Sequence, residues 1–363
     1  MMRRWGFLAG VGGALLLGGA GAYGWRSATG SMSDYAARVG AMRAPLPADP
    51  AAKDFVRYAT LAANGHNTQP WRFHAEEGVI AILPDFSRAT RVVDPDDHHL
   101  FVSLGCAAEN LAIAAAASGR PGEAQTDAEG GIRFVYSAGA ASADALFAAI
   151  PRRQSTRAVY DGRPVSATDM ETMRKAAEVP GVRLVLLSER ARIDRLRDLV
   201  VAGNDAQMHD RAFLAELKQW LRFNPRDAAE SGDGLFAASS GSPVLPRVVG
   251  RLAFDTFFAA NAENEKYARQ IDSSAGIAVF LAEREDKAHW IAAGRACQRF
   301  ALAATGLGIK HAFINQPVEV KSLRPELATL VGEPGTRPDI VMRFGYGPEM
   351  PFSPRRSVEE VLA

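Results

Sequence analysis

The stretch FVSLGCAAENLAIAAAASG at residues 101–119 recurs in outline as WIAAGRACQRFALAATGLG at residues 290–308. Gly105 aligns with Gly294 at an offset of 189 residues, and the same offset aligns the glycines that end the two stretches, Gly119 and Gly308. Both stretches are rich in alanine and end at glycine, as long buried helices often do. A repeat of this kind predicts two related halves in one chain. The alternative is that two Ala-rich helices resemble each other by chance.

The surroundings of the two stretches also correspond. In each half the pattern predicts a helix, then a strand, and another strand beside the repeated helix. The predicted elements are a helix at Asp54–Ala63 and strands at Val79–Leu83 and Ile132–Tyr136 in the first half, and a helix at Ala167–Ala177 and strands at Arg183–Leu187 and Ala275–Leu281 in the second. The halves are predicted to be residues 51–148 and 149–363.

The second half carries an insertion, at about residues 189–272, that has no counterpart in the first. Most of it is amphipathic, with apolar residues at helical spacing between Phe213 and Leu221, which indicates packing against a core. Its stretch 232–243 is rich in glycine and serine. We expect this loop to act as a lid.

Composition excludes several classes of protein. Of 363 residues, 47% are hydrophobic and 23% charged, so the chain is expected to be globular. The 42 basic residues nearly cancel the 41 acidic ones, which argues against nucleic acid as a partner. Cys106 and Cys297 lie in Ala-rich helical stretches, where buried thiols are expected, and we assign neither a disulfide nor a metal site.

The N-terminal residues 1–26 form a separate segment. Arg3 and Arg4 precede an uncharged run from Trp5 to Trp25, with a small-residue cleavage pattern at residues 20–22. This order predicts a twin-arginine export signal and a periplasmic location. An uncleaved membrane anchor is the alternative, because about 20 apolar residues can span a bilayer. Residues 27–50, rich in Ala, Gly, Ser and Pro, are predicted to be a linker.

Two kinds of polar segment are candidates for a site. The first is NGHNTQPWRF at residues 64–73, where amide side chains on a glycine-containing loop suit the edge of a flat heteroaromatic ring. The second kind is basic: RRQSTR at 152–157 and SPRR at 353–356. Arginines bind phosphate oxygens in pairs, so these segments suit a phosphate monoester. Taken singly, the segments equally fit an Asx-rich loop and solvated surface charge.

In this order, the segments resemble the nitroreductase family, specifically its fused-domain branch of FMN-binding proteins, the Acg family. The loop at 64–73 is similar to the family's flavin loop, and Arg-Gln-Ser-Thr-Arg at 153–157 to its phosphate-binding start. Trp290–Gly308 and the ending from Arg343 to Arg356 are similar too. The resemblance covers roughly residue 53 to the C-terminus, although much of the insertion carries no motif. It implies an α+β fold with two fused halves forming an intrachain pseudo-dimer.

The resemblance also implies the site residues. Family members are usually homodimers in which one subunit holds the flavin phosphate and the other holds the ring. By this correspondence the ring would be held by Asn64, Gly65, His66, Asn67 and Gln69, and the phosphate by Arg152, Arg153, Gln154, Ser155 and Arg157 with Arg355 or Arg356. The backbone at Phe313, Ile314 and Asn315 would pass along the N5 edge of the ring.

Each motif occurs once in the chain, the loop in the first half and the phosphate motif in the second. Residues 27–50 contain no Arg-x-Ser-x-Arg, and residues 177–182 contain no Asn-rich loop. We therefore expect one FMN per chain and a monomeric pseudo-dimer. No protein acid or base is required, because the flavin carries the hydride.

The resemblance implies an FMN-dependent oxidoreductase that reduces nitro compounds, quinones or similar acceptors. The donor stays open between NAD(P)H and a redox protein, because NAD(P)H is scarce outside the cytoplasm. A protein that sequesters FMN without turnover is the alternative function, and a membrane-tethered redox partner is another.

The pair His98–His99 follows an acidic stretch and invites a metal interpretation. Neighbouring side chains point in different directions, and the stretch precedes a helix. Capping of that helix by the acidic residues is the better prediction, and no metal is expected.

Overall fold

The computed structural model describes residues 24–142 and 144–363. The motif and cleavage pattern of the predicted export signal fall within residues 1–23 and so lie outside the described residues. Residues 24–29 are helical, and helix α1 follows at Met32–Met42. The predicted linker at 27–50 therefore contains a regular helix, which is anchored because Tyr35 is buried and its hydroxyl donates to the carbonyl of Phe352 at 2.7 Å.

The first half forms a four-stranded antiparallel sheet with one long helix against it. Its elements are α2 (Ala52–Thr60), β1 (Trp71–Glu76), β2 (Val79–Pro84), α3 (His98–Ala117), β3 (Gly122–Thr126) and β4 (Ile132–Tyr136). The strand order is β1-β2-β4-β3. Burial alternates along β1 and β4, so one face of this first sheet packs on the core and the other does not.

The second half repeats this arrangement. Its elements are α4 (Ala167–Ala176), β5 (Val182–Leu187), β8 (Gly276–Ala282), α10 (Lys287–Gly306), β9 (Lys310–Phe313) and β10 (Pro338–Gly345). The order of this antiparallel sheet, β5-β8-β10-β9, matches the first element by element. The predicted helices and strands of both halves are confirmed, with ends shifted by a few residues.

The insertion and the residues after β9 supply the remaining helices. They are α5 (Arg190–His209), α6 (Arg211–Trp220), α7 (Pro225–Ser231), α8 (Arg247–Phe257), α9 (Ala260–Asp272), α11 (Gln316–Glu319), α12 (Arg324–Val331) and α13 (Val358–Val361), with a short parallel pair β6 (Leu221–Arg222) and β7 (Leu235–Phe236). Apolar residues of α5 and α12 pack on the second sheet, so β8 and β10 are buried along their whole length.

Helices α3 and α10 pack against each other at the centre, as predicted from the repeat. A methyl group on Gly105 would lie 2.0 Å from the carbonyl oxygen of Ile291, and one on Gly294 would lie 2.0 Å from that of Val102. Ile291 and Val102 are separated by the same 189 residues as the two glycines. The contact is therefore isologous, as at the interface of a two-fold dimer, and the fold is a pseudo-dimer within one chain.

The tail of the chain crosses back to the first half. Leu362 forms a parallel bridge with Phe73 of β1, and the backbone amide of Ala363 donates to the carbonyl of Phe73 at 2.9 Å. On the second sheet, Ser155 forms a parallel bridge with His311 of β9.

Among the described helices, α3 is long and apolar enough to cross a membrane. However, 83% of its apolar window is buried inside the protein. Its length and composition are therefore those of a core helix.

Candidate functional site

The loop between α2 and β1 has a strained backbone. His66, Asn67 and Gln69 have φ angles of 47°, 55° and 54°, in the left-handed region that non-glycine residues rarely adopt. Each such residue costs on the order of 1–2 kcal/mol, and strain of this kind concentrates at functional sites. The equivalent connection in the second half, between α4 and β5, is a short turn at residues 177–181.

Asn67 and Gln69 have structural partners instead of free amide groups. The Asn67 amide donates to the carbonyls of Gly234 at 3.0 Å and Pro354 at 3.1 Å, while Gln69 donates to Gly232 at 2.8 Å and accepts from the amide of Arg356 at 3.0 Å. These bonds join the loop to the insertion and to the tail. These polar atoms already have partners within the protein, and the expected contact of both side chains with the ring edge stays a prediction.

The predicted lid is fastened at its start. The backbone amide of Gly234 donates to the carbonyl of Asn67 at 3.0 Å. Gly234 has a φ of 76°, and an added methyl group would lie 2.4 Å from the carbonyl oxygen of Trp220, so only glycine fits there. The part of the loop that carries Gly232 and Gly234 is thus fixed to the strained loop.

Four arginines from three separate segments line one small cavity at the seam between the halves. They are Arg43 after α1, Arg153 and Arg157 before α4, and Arg355 in the tail. The cavity measures about 40 Å³, and no carboxylate from the described part of the chain lines it. One water molecule needs about 10–15 Å³, so the cavity holds a group of several atoms.

Two of these arginines are held at the C-terminal end of α2. Arg153 donates to the carbonyl of Leu61 at 2.9 Å, and Arg355 donates to Ala62 at 3.0 Å and to the side-chain oxygen of Asn67 at 2.7 Å. A helix C-terminus attracts cations through its free carbonyls and its dipole. These contacts fix where the two guanidinium groups lie.

The guanidinium groups lack a counter-charge. Nε and Nη1 of both Arg43 and Arg153 are buried without a hydrogen-bond partner among the described residues. Burial, reinforced by the charge of Arg153, lowers the pKa of Arg43 to about 9, and burial lowers the pKa of Arg153 to about 10. Burial and these two charges also lower the pKa of Arg355. A bound anion would relieve both the desolvation and the mutual repulsion.

The phosphate motif is only partly in the cavity. Gln154 and Ser155 line it together with Arg153 and Arg157. Arg152 is exposed, and its Nε donates to the carbonyl of Ala148 at 3.1 Å, so the prediction that it binds phosphate is corrected. Of the two tail arginines it is Arg355 that lines the cavity, whereas Arg356 donates to the carbonyl of Glu360.

A larger cavity of about 190 Å³ adjoins the arginine cavity. Both cavities are lined by Ala63, Asn64, Arg157 and Leu235, so they share part of their walls. The larger one is also lined by Gly65 and His66 from the strained loop. Desolvation, with the charges of Arg157 and His99, lowers the pKa of His66 to about 4 and keeps the ring neutral.

The segment after β9 forms the opposite wall of this cavity. Phe313, Asn315 and Gln316 line it, and Oε1 of Gln316 is buried without a partner in the described structure. The side chain of Ile314 is buried in an apolar core cluster of the second half, and the expected role of its backbone stays a prediction. The insertion closes the cavity with Asn204, Gln207, Met208, Phe213, Leu217 and Tyr267.

The pseudo-symmetric position in the other half is filled by side chains. By the 189-residue offset, Cys106, which lines the larger cavity, corresponds to Arg295, and Asn110 corresponds to Arg299. Arg295 and Arg299 both donate to the buried carboxylate of Glu109, at 2.8 Å and 2.7 Å. The position that corresponds to Cys106 therefore carries a charged side chain engaged in an ion pair, and the connection at 177–181 is too short to form a loop like that at 64–73.

The acidic stretch before α3 acts as a helix cap, as predicted. The two carboxylate oxygens of Asp94 accept from the backbone amides of His99 at 3.0 Å and Leu100 at 2.9 Å. Asp94, His98 and His99 bring potential ligand atoms within 4.8 Å of one another. However, one ring nitrogen of each histidine is engaged with Asp339, so these side chains are held by the protein itself.

Sequence reasoning missed several residues of the site. Arg43 carries no signal, because it is a single arginine in a stretch predicted to be a linker. Asn204 and Gln207 are buried amide residues about one helical turn apart on α5. Two polar residues at this spacing within an apolar helix face lie side by side, which indicates that this face lines a polar site. Tyr267 and Glu319 give no local signal.

The chain has relatives of similar length, although no family model matches it. It is 26% identical, over 333 residues, to the protein named "Putative NAD(P)H nitroreductase Rv3131" of Mycobacterium tuberculosis, covering 89% of this chain and 94% of that protein. It is 24% identical, over 338 residues, to "Putative NAD(P)H nitroreductase acg" of the same organism, covering 85% and 94%. The predicted resemblance to the nitroreductases is confirmed. A solved nitroreductase with bound FMN from Desulfitobacterium hafniense aligns with 59% of this chain and 94% of its own, at 16% identity and a TM-score of 0.38.

Proposed function

We propose that the chain binds one FMN at the seam between its halves and is an oxidoreductase that passes electrons to nitro compounds, quinones or similar acceptors. The observation that carries this proposal is the arginine cavity, where buried guanidinium N–H groups lack partners beside a cavity lined by the strained loop. A phosphate monoester supplies the missing charge and the missing acceptors.

The residues present fit FMN in two parts. Arg43, Arg153, Arg157 and Arg355, with Ser155, would hold the phosphate. The strained loop and the wall at Phe313–Gln316 would enclose the ring, and the orphaned Oε1 of Gln316 offers an acceptor to a ring N–H. Bound flavin supplies hydride chemistry, so the protein has to provide orientation, electrostatics and exclusion of water.

An acceptor has room beside this site. An apolar cavity of about 320 Å³ adjoins the ring cavity, and the two are both lined by Arg157, Tyr267 and Phe313. The insertion supplies most of its walls, including Phe223, Phe254 and Phe257. Such walls suit an aromatic acceptor. The names of the relatives support NAD(P)H as the donor, and a redox protein stays the alternative donor.

The neighbouring pair Arg152 and Arg153 allows a matched test of the proposal. Arg153→Ala removes a buried guanidinium with unpaired N–H groups, whereas Arg152→Ala removes an exposed one. A charge-assisted hydrogen bond contributes about 1.5–3 kcal/mol, so Arg153→Ala should weaken FMN binding by roughly tenfold to a hundredfold. Titration of the apoprotein with FMN, followed by flavin fluorescence, measures both variants. Equal affinity in Arg153→Ala and Arg152→Ala would place the phosphate elsewhere.

Sequestration of FMN without turnover is the second candidate. The insertion favours it, because α5, α6 and α9 enclose the ring cavity and Gly234 is fastened to the strained loop. Anaerobic titration with NADPH and then dithionite separates the two functions. Reduction by NADPH supports the reductase, while reduction by dithionite alone, with no turnover of any acceptor, supports sequestration.

We further propose export to the periplasm by the twin-arginine route, with retention as a membrane tether the alternative, and a monomeric state. The motif at Arg3 and Arg4 supports export, and the internal seam between α3 and α10 supports a monomer, because it replaces the contact that two subunits would make. Cell fractionation and sedimentation of the purified chain test these points.

A further inference from the structure

His99 and Glu319 form a polar pair on the wall of the ring cavity, away from the arginines. His99 lies in the first turn of α3 and Glu319 in α11, and both line the cavity. His99 Nδ1 is 3.9 Å from a carboxylate oxygen of Glu319. Direct hydrogen bonds between such groups are about 2.7–3.2 Å long, so the two groups are not bonded to each other directly, and the member that carries a proton can donate it to a third oxygen in the cavity.

The hydrogen bonds around the pair fix which atoms face each other. Nε2 of His99 is 3.1 Å from the backbone carbonyl of Asp339, and since a carbonyl oxygen only accepts, this nitrogen carries a hydrogen. The other nitrogen, Nδ1, therefore presents a lone pair toward Glu319 when the ring is neutral. Oε2 of Glu319 accepts from Gln207 at 2.7 Å, which leaves Oε1 toward His99 and the cavity.

The surroundings of Glu319 disfavour the charged form of its carboxyl group. Burial raises the pKa of Glu319, which makes a bare carboxylate unfavourable in this wall. The titratable and charged groups that face the pair from the packed elements are Asp94 and His98 on its α3 side, His66 and Arg157 across the cavity, Glu216 and Tyr267 near Glu319, and Asp339 behind His99.

We infer that the His99–Glu319 pair binds the oxygen of the acceptor and gives it a proton as that oxygen becomes negative. This inference rests on the proposed function, from which the electrons come. A carbonyl or quinone acceptor takes up two electrons and one proton as a hydride equivalent, and its second proton comes from the pair. The O–H bond of the product forms as the N–H or O–H bond of the pair breaks, and water restores the proton to the pair. Gln207 and the carbonyl of Asp339 act as positioning groups.

A binding experiment without turnover tests the inference. The probe is pentafluorophenolate, an aromatic oxyanion, and hexafluorobenzene is the matched ligand without the oxygen. Both are titrated into the oxidised, FMN-loaded protein and followed by the change in flavin absorbance. Glu319→Met should weaken pentafluorophenolate by roughly tenfold or more, the value of a lost charge-assisted hydrogen bond, and leave hexafluorobenzene unchanged. His99→Leu should do the same. Glu265→Gln, which removes an exposed carboxylate on α9 that does not line the cavity, should change neither affinity.

A change in pentafluorophenolate affinity in the opposite direction would overturn the inference. If Glu319 is an isolated carboxylate, it repels the phenolate, and Glu319→Met then strengthens binding. An unchanged affinity in both variants would also contradict it.

A kinetic comparison adds a second readout. Glu319→Met should slow the reduction of benzoquinone more than that of ferricyanide, which takes electrons without protons, and equal slowing would count against the pair. Failure of the proposed function is distinguishable, because the wild-type protein would then bind no FMN or would reduce neither benzoquinone nor ferricyanide.

Discussion

The buried charge of Arg43 lowers the stability of the protein when no ligand is bound. Its guanidinium is buried over the ring of Phe352, 4.1 Å from the centroid, with two nitrogens lacking partners and three other arginines around the same cavity. A buried charge without a counter-ion destabilises the fold. An anionic ligand reverses this effect, so Arg43 connects ligand binding to stability.

Arg43→Met should therefore have opposite effects on stability and on binding. Methionine keeps the apolar stem and removes the charge, so we expect the apoprotein to become more stable by about 1 kcal/mol, while FMN binds roughly tenfold to a hundredfold more weakly. Urea unfolding of the apoprotein and flavin titration measure the two quantities. Arg38→Ala, which removes an exposed arginine on the preceding helix α1, is the control and should change neither. A less stable apoprotein with unchanged FMN affinity would show that Arg43 is a structural residue.

For single residues, the sequence predicted which residues lie near the site better than it predicted the hydrogen-bond partners of those residues. Arg153, Arg157 and Arg355 were found because arginines at short spacing mark an anion site. Asn67 and Gln69 were assigned to the ring because an amide both donates and accepts, yet the same property lets them bind the insertion and the tail. Local sequence does not contain these partners, since Gly232 and Pro354 are far away along the chain.

Among the elements, the pair α3 and α10 decides how the halves meet. Gly105 and Gly294 let the two helices approach until each glycine touches the carbonyl of the other helix. The same pair shows why the fold was accessible from sequence: the repeat preserves the glycines at a fixed offset. Helix α1 and the parallel pair β6–β7 have no counterpart in the other half, and their packing depends on tertiary contacts that no local pattern encodes.

Gly105→Ala and Gly294→Ala should each destabilise the protein by about 3 kcal/mol or more, because overpacking outweighs the roughly 1 kcal/mol that alanine adds to helix propensity. The pseudo-symmetry predicts similar losses for the two variants. Gly306→Ala is the matched control at the end of α10, where an added methyl group meets nothing within 4 Å. Urea denaturation provides the comparison. Losses below 1 kcal/mol in both central variants would contradict the close approach of the helices.

The whole molecule should be sensitive to mild acid. Desolvation lowers the pKa of His66 to about 4 and that of His311 to about 3, against an ordinary value of 6.5. Below pH 6.5 the unfolded chain takes up protons that the folded chain excludes, so the free energy of unfolding falls as the pH falls. The lowered pKa of His98 also makes the free energy of unfolding fall as the pH falls. His98 faces Asp339, however, and burial raises the pKa of that carboxyl group to about 7, which makes the free energy of unfolding rise as the pH falls. The two remaining histidines then dominate.

Stability of the apoprotein should fall by about 1–3 kcal/mol between pH 6.5 and pH 5.5, since each excess proton contributes about 1.4 kcal/mol per pH unit. His311→Met should reduce this slope by up to one proton, because both ring nitrogens of His311 are buried without partners in the described structure. Urea midpoints measured across this range test the prediction. A flat profile for the wild-type protein would mean that the two histidines are protonated in the folded state.

The central claim for the whole molecule is that a duplicated fold keeps a single flavin site. The strained loop and the arginine cavity complete one site, while Arg295, Arg299 and Glu109 occupy the equivalent position in the other half. The most direct test is the molar ratio of flavin to polypeptide after the protein is saturated with FMN, freed of excess and denatured. With a single complete site, the expected ratio is one FMN per chain. A ratio of two would show that the second site is intact, and the absence of bound FMN would show that the arginine cavity and the strained loop do not form a flavin site.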